Sequence, residues 1–227
     1  QLQAQIDKTI EYEKYEMPDP SYLGEAVMIA GVDNQMAFTY SNGPVNYGTN
    51  YYINSSNNIY SHTYLYPESN QNWVPQSIID NVSEGVGFAY YNGHGYEIGW
   101  DDPSFTVNDI QYLNNTSKYP LMIGNCCITN QFESTTCFGE ALLRVANKGA
   151  QGYIGGSNDT YWEEDFWWSV GSGSINQNPT YDQTGPGAYD GLFHNYDENF
   201  SNWFTSNSAI MVAGNLGVVE ANGSANY

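Results

Sequence analysis

The chain has 227 residues, with 25 acidic against 5 basic side chains and a formal charge of −20. That balance excludes a nucleic-acid binder, because Lys and Arg supply most of the affinity for phosphate, and it disfavours anionic membrane surfaces for the same reason. Only 13% of residues are charged, whereas 41% are hydrophobic and 16% aromatic, so one compact domain with a real core is expected.

In chain order, Leu2, Ile6 and Ile10 fall on one stripe of a helix that Pro18 and Pro20 end, which predicts an amphipathic helix entering the domain. The run from Ala26 to Val32 is continuously apolar and stops at Asp33, as a strand buried on both faces does. The pattern recurs. Gly87 to Tyr91 runs into Asn92-Gly93-His94-Gly95, Tyr119 to Gly124 into Asn125-Cys126-Cys127, and Ala150 to Gly156 into Ser157-Asn158-Asp159. Helical patterns lie between, at Trp73 to Val82 and at Phe138, Ala141, Leu142 and Val145, where Glu140 and Arg144 pair at i,i+4 and Gly149 is the stop. Strands alternating with helices predict an α/β fold with a mostly parallel sheet covered on both faces. Gly171 to Gly187 reads as a long surface loop, and Ala209 to Val219 as a last apolar element.

A surface of Tyr, Asn, Ser and Thr with little Lys suggests a secreted or bacterial cell-surface protein. No apolar run reaches the roughly 18 to 20 residues of a membrane span. Gln1 to Lys8 has no signal-peptide pattern, so an exported form is expected to have lost its signal. Cys126, Cys127 and Cys137 are odd in number and two are adjacent, which predicts at least one free thiol.

In a parallel sheet, functional groups sit outside the carboxyl ends of the strands, and here three strands end in Asp33, His94 and Cys127. Thiol hydrolysis needs a nucleophilic sulfur, a group to shuttle its proton, and N–H donors for the developing oxyanion. Cys127, His94 and the Gly93-His94-Gly95 turn can supply all three. In the Cys126-Cys127 pair, alternation turns one side chain inward and lets the other reach the site.

The stretches Asn92-Gly93-His94-Gly95-Tyr96-Glu97-Ile98-Gly99-Trp100-Asp101-Asp102-Pro103, Ile123-Gly124-Asn125-Cys126-Cys127-Ile128-Thr129, Cys137-Phe138-Gly139-Glu140 and Tyr161-Trp162-Glu163-Glu164-Asp165 resemble the catalytic domain of the gingipain family of cysteine peptidases, nearest its lysine-specific members. The likeness spans nearly the whole chain. It implies a caspase-like α/β/α sandwich, with Cys127 as nucleophile, His94 as general base and acid, and Asp33 as the residue that orients the histidine. It also implies an oxyanion hole from the N–H groups of Gly95 and Cys127. Asp165 would receive the substrate ammonium, with Trp162 along the lysine stem and Asn92 and Asn125 lining the pocket. Asn92 is a departure, since the lysine-specific members carry threonine there. The implied substrates are proteins or peptides with Lys, or Arg, before the cleaved bond.

The resemblance covers only the catalytic half of the family's peptidase domain, so residues 1–227 read as a catalytic subdomain with an amino-terminal subdomain as expected partner. No cofactor is expected for catalysis. A structural Ca²⁺ is an expectation at Asp101-Asp102, Glu163-Glu164-Asp165 or Asp197-Glu198, with no ligand set assigned; zinc lacks a ligand pattern. Two other readings stand beside the peptidase: an inactive peptidase-like protein, and a secreted carbohydrate-binding module that uses the aromatic residues to stack on sugars.

Overall fold

The computed structural model of the chain describes residues 2–133, 136–193 and 206–223. Its strands, in chain order, are β1 (Glu25–Ala30), β2 (Tyr60–Tyr64), β3 (Phe88–Asn92), β4 (Gly95–Tyr96), β5 (Gly99–Trp100), β6 (Phe105–Thr106), β7 (Leu121–Asn125) and β8 (Gly152–Gly155). Five of them form a wholly parallel sheet in the order β2-β1-β3-β7-β8, while β4, β5 and β6 make a small antiparallel sheet. The helices are α1 (Leu2–Glu13), α2 (Asn42–Tyr51), α3 (Val74–Glu84), α4 (Phe138–Arg144), α5 (Trp162–Val170), α6 (Ala188–Phe193) and α7 (Asn207–Ala221).

Strand alternation divides the core into two halves. Val27, Ile29, Ala89, Tyr91, Met122 and Tyr153 face α3, α4 and the small sheet, whereas Ala26, Met28, Ala30, Tyr90, Ile123 and Ile154 face α2, α5, α6 and α7. With both faces covered, the central strands contain no polar alternation, and the result is the three-layer α/β/α sandwich expected. The helical pattern at Trp73 to Val82 becomes α3, with Pro75 in its first turn and Gly85 at φ +114° after its end.

Three features differ from the sequence reading. Strand β2 carries no apolar run, because it is the sheet's edge and only Tyr64 is buried. Helix α2, with Asn42, Gly43 and Pro44 in its first turn, lacks the usual helix-forming residues and is held by packing on the sheet. Helix α1 does not dock through its apolar stripe: Leu2, Ile6 and Ile10 are 73%, 40% and 44% exposed. It docks through Lys8, whose buried ammonium donates to the Leu142 carbonyl (3.0 Å) near the end of α4 and to the Lys148 carbonyl (3.1 Å). The ammonium thus meets the Leu142 carbonyl in the last turn of α4, where the helix dipole favours a cation.

From β1 the chain passes through α2 to the edge strand β2, then through α3 back to β3 on the other side of β1. The strand order therefore reverses between β1 and β3, and their carboxyl ends flank a crevice of the kind where such sheets bind ligands.

Candidate active site

The parallel register sets the heights of the functional side chains. Ala30, Asn92 and Asn125 are cross-strand partners on β1, β3 and β7. His94 and Cys127 each lie two residues beyond that row, on strands about 4.8 Å apart, and Asp33 lies three beyond it. Gly31 and Gly93 let the loops leave close together, since a Cβ on Gly31 would stand 2.7 Å from the Gly93 Cα.

His94 is held at both ends. Its carbonyl accepts from the Tyr91 hydroxyl (2.7 Å) and the Asp101 N–H (3.1 Å), and its Nε2 lies 3.3 Å from Asp33 Oδ2. Asp33 is fixed in turn by the N–H groups of Gln35 (2.7 Å) and Met36 (2.8 Å) on Oδ1. Partial burial pushes the Asp33 carboxyl up, but these two backbone bonds and the facing His94 outweigh it and hold the group below the usual range. The Trp162 ring meets His94 edge to face at 5.1 Å. With Nε2 turned to Asp33, Nδ1 is the ring nitrogen left for proton transfer.

The two adjacent cysteines separate as alternation predicts. Cys126 is fully buried, and burial raises its thiol well above the ordinary value; Cys127 is part-exposed. All three cysteines are unpaired. Ile128, next to Cys127, takes φ +45°, a left-handed conformation that costs a β-branched residue on the order of 1–3 kcal/mol. Its N–H bonds Asn158 O (3.1 Å), and the Asn130 N–H bonds Gly156 O (2.8 Å), so the loop after β7 is stitched to the loop after β8. Glycine is required at 95, because a Cβ there would stand 2.6 Å from Cys126 Sγ and 2.9 Å from the Cys127 carbonyl. Among the described residues no hydrogen bond joins His94 to Cys127. The Cys127 sulfur instead accepts the Thr160 N–H at 3.3 Å and lies 3.5 Å from the Thr160 carbonyl.

Thr160 connects the sulfur to an acidic pocket. Its hydroxyl donates to Asp165 Oδ2 at 2.8 Å. Asp165 is only 7% exposed, at the foot of an open cleft of about 670 Å³ between the ends of β7 and β8, α5 and α7. Burial pushes its carboxyl up to about 7, with the Thr160 bond opposing and the Glu164 charge adding to the rise. Asp165 sits in the first turn of α5, where an acid favours the helix dipole, yet it points inward and no cation bonds it among the described residues.

Two expected pocket residues lie elsewhere. Asn92 is fully buried and its amide is committed: Nδ2 donates to the Tyr40 carbonyl (3.1 Å), and Oδ1 accepts from the Tyr90 hydroxyl (3.0 Å) and Asn125 Nδ2 (2.7 Å). It braces Asn125, which does line the cleft and also bonds the Asp165 carbonyl (2.6 Å). Trp162 turns to His94 and Tyr40 rather than into the cleft, whose aromatic walls are Tyr161 and Trp168. Among the described residues no three His, Cys, Asp or Glu side chains converge on a metal position; Asp197-Glu198 lies outside the described residues. No described helix is long and apolar enough to cross a membrane.

The profile of Peptidase family C25 matches residues 1–225. The chain belongs to this family. A C25 identity displaces the carbohydrate-binding reading. Lys-gingipain of Porphyromonas gingivalis is 41% identical over 216 residues, which is 93% of this chain and 12% of that protein. Gingipain R2 of the same organism is 29% identical over 149 residues, 65% of this chain and 20% of that protein. Among solved structures, one titled "Structure of Protease" superposes with a TM-score of 0.87 at 38% identity, covering 96% of this chain and 46% of that one. The crystal structure of the Arg-specific cysteine proteinase gingipain R gives 0.71 at 22% identity, with 96% and 47% covered, and supports the caspase-like fold. This C25 chain thus spans less than half of these solved chains and a small part of the curated relatives.

Sequence reasoning missed Thr160, Tyr40 and the contribution of α7, which lends Met211 and Asn215 to the cleft. None of these carries a motif. Thr160 precedes α5 in a polar turn that reads as an ordinary loop, and its role depends on which strand end it faces.

Proposed function

We propose that the chain is the catalytic half of a secreted or surface cysteine endopeptidase that cleaves after basic residues, with Lys preferred. One observation carries the specificity: Asp165 is a buried carboxyl without a cationic partner among the described residues, in a cleft one residue removed from the Cys127 sulfur. Burial of a lone carboxylate is costly, and an incoming ammonium removes much of that cost while leaving a neutral side chain unrewarded. The aliphatic stem of lysine would lie along the apolar walls of the cleft.

In this reading the Cys127 sulfur, its proton passed to His94 Nδ1, attacks the scissile carbonyl. The oxyanion forms against the N–H groups of Cys127 and Gly95, and the imidazolium, steadied by Asp33, protonates the leaving amine. Water activated by His94 then hydrolyses the thioester. The sulfur must leave its resting contacts with Thr160 to do so, a tightening that substrate binding commonly brings. An amino-terminal subdomain is proposed as the partner that completes the domain, in keeping with the length of the solved relatives.

The test is hydrolysis of matched peptides with Lys, Arg or a neutral residue before the reporter group. Lys should exceed Arg and both should exceed the neutral peptide, Cys127→Ala should abolish all three, and Asp165→Asn should cost the Lys peptide far more than the neutral one. Equal losses on both peptides would remove Asp165 from the pocket.

A further inference from the structure

Thr160 is bonded to both of the groups on which the proposed reaction depends. Its hydroxyl reaches Asp165 Oδ2 at 2.8 Å, its N–H reaches Cys127 Sγ at 3.3 Å, and its Oγ1 lies 3.8 Å from the same sulfur. We infer that Thr160 is a positioning residue that couples occupancy of the Asp165 pocket to the placement of the Cys127 sulfur, an inference that rests on the roles given to those two residues above.

The coupling has a mechanical basis. Residues 156–160 and 126–130 are clamped by the Ile128 N–H to Asn158 O and Asn130 N–H to Gly156 O bonds, so the Thr160 backbone cannot drift from the sulfur. Branching at Cβ restricts its χ1, and the γ-methyl sits where a Cβ on Gly156 would stand 3.1 Å away, so the hydroxyl has little freedom except toward Asp165. Asp165 Oδ1 carries no hydrogen bond among the described residues and is the oxygen free for an ammonium. An ammonium that draws charge toward Oδ1 changes the pull on the Thr160 hydroxyl, and through the same residue the contacts of the sulfur.

The titratable groups around Asp165 are Glu164 on its own helix, Cys126 after β7, and Tyr90 on β3; Asp159 and Tyr161 also border the cleft. Helix α7 offers it Met211, Asn215, Val218 and Val219, none of them charged. The hydroxyl of Thr160 is therefore the nearest neutral donor that favours the ionised form, and hydrogen bonds to charged groups are among the stronger ones.

The experiment uses the intact enzyme with Thr160→Val, which keeps the shape and removes the hydroxyl, and Thr160→Ser, which keeps the hydroxyl. For a Lys peptide, Thr160→Val should move the acid limb of kcat/KM upward by about one pH unit and cost roughly tenfold at pH 6.5. The limb for a neutral peptide should stay in place, and Thr160→Ser should follow the wild type within about threefold. Separately, n-butylammonium should change the rate at which iodoacetamide labels Cys127 in the wild type and leave it unchanged in Thr160→Val. Equal movement of both acid limbs, no movement of either, or an amine effect that survives in Thr160→Val would overturn the inference. A wild type with no preference for Lys, and with labelling indifferent to the amine, would instead sink the pocket reading and the coupling with it, an outcome distinct from a Lys-preferring wild type whose response survives in Thr160→Val.

Discussion

Asp165→Asn should stabilise the protein while damaging its activity. The carboxyl titrates at about 7 in the folded chain against 3.8 for a free aspartate, because burial penalises its charge. A raised carboxyl value favours the folded state only while the group stays protonated, so the penalty begins near 3.8, grows as pH rises, and is complete above about 7. The shift corresponds to a ceiling of about 4 kcal/mol at pH 8, at roughly 1.4 kcal/mol for each tenfold change in acidity. At pH 5.5 only about half of that has accumulated, since the folded group is still protonated while the unfolded one is already ionised. An uncharged amide in place of this carboxyl escapes the penalty at every pH. Urea unfolding in a Cys127→Ala background, which removes self-digestion, should therefore show the Asp165→Asn variant more stable by a few kcal/mol at pH 8 and by distinctly less at pH 5.5. A stability difference that does not change with pH, or a variant no more stable than its parent at pH 8, would refute the claim that Asp165 is a buried carboxylate awaiting a cation.

Gly95→Ala should reduce kcat/KM by about a hundredfold or more with the fold intact, because the new Cβ would press on Cys126 Sγ and the Cys127 carbonyl and displace the reacting groups by a fraction of an ångström or more. Steady-state kinetics beside circular dichroism would check it, and a near-normal rate would count against the close approach. Asp33→Asn should lower kcat about tenfold to a hundredfold by loosening the His94 ring. Because the Asp33 carboxyl lies below its ordinary value, its stabilising contribution is present above the unfolded value and is lost on acidification; the stability deficit of Asp33→Asn should shrink as pH falls. Gln177→Lys should create a new self-cleavage site in an active preparation, since residue 177 is exposed in an irregular loop while Lys8, Lys118, Lys148 and Arg144 are held by side-chain bonds to carbonyls or carboxylates. An unchanged fragment pattern by mass spectrometry would argue against Lys cleavage.

The layered fold was legible because four core strands are short, continuous apolar runs, each ending abruptly in polar residues, and burial on both faces leaves no other pattern open to them. Strand β2 was not, since an edge needs no such run, and helix α2 was not, since its packing overrides poor local propensity. The helix at Leu2–Glu13 was read correctly as a helix and incorrectly as to its buried face, because a periodicity count treats Lys8 as solvent-facing and cannot see the carbonyls that receive it.

Asp33, His94 and Cys127 could be singled out from sequence because each stands directly after a predicted strand, and parallel register brings such positions to one end of the sheet. The identity of the acid, imidazole and thiol, and the −20 charge, belong to the sequence alone. What the tertiary structure decided is which partners those groups meet: that Asn92 is spent inside the protein, that Trp162 packs on His94, and that Thr160 stands between the sulfur and Asp165. Hydrogen bonds between loops far apart in the chain depend on ångström-scale placement, and no local pattern in a sequence records distances of that kind.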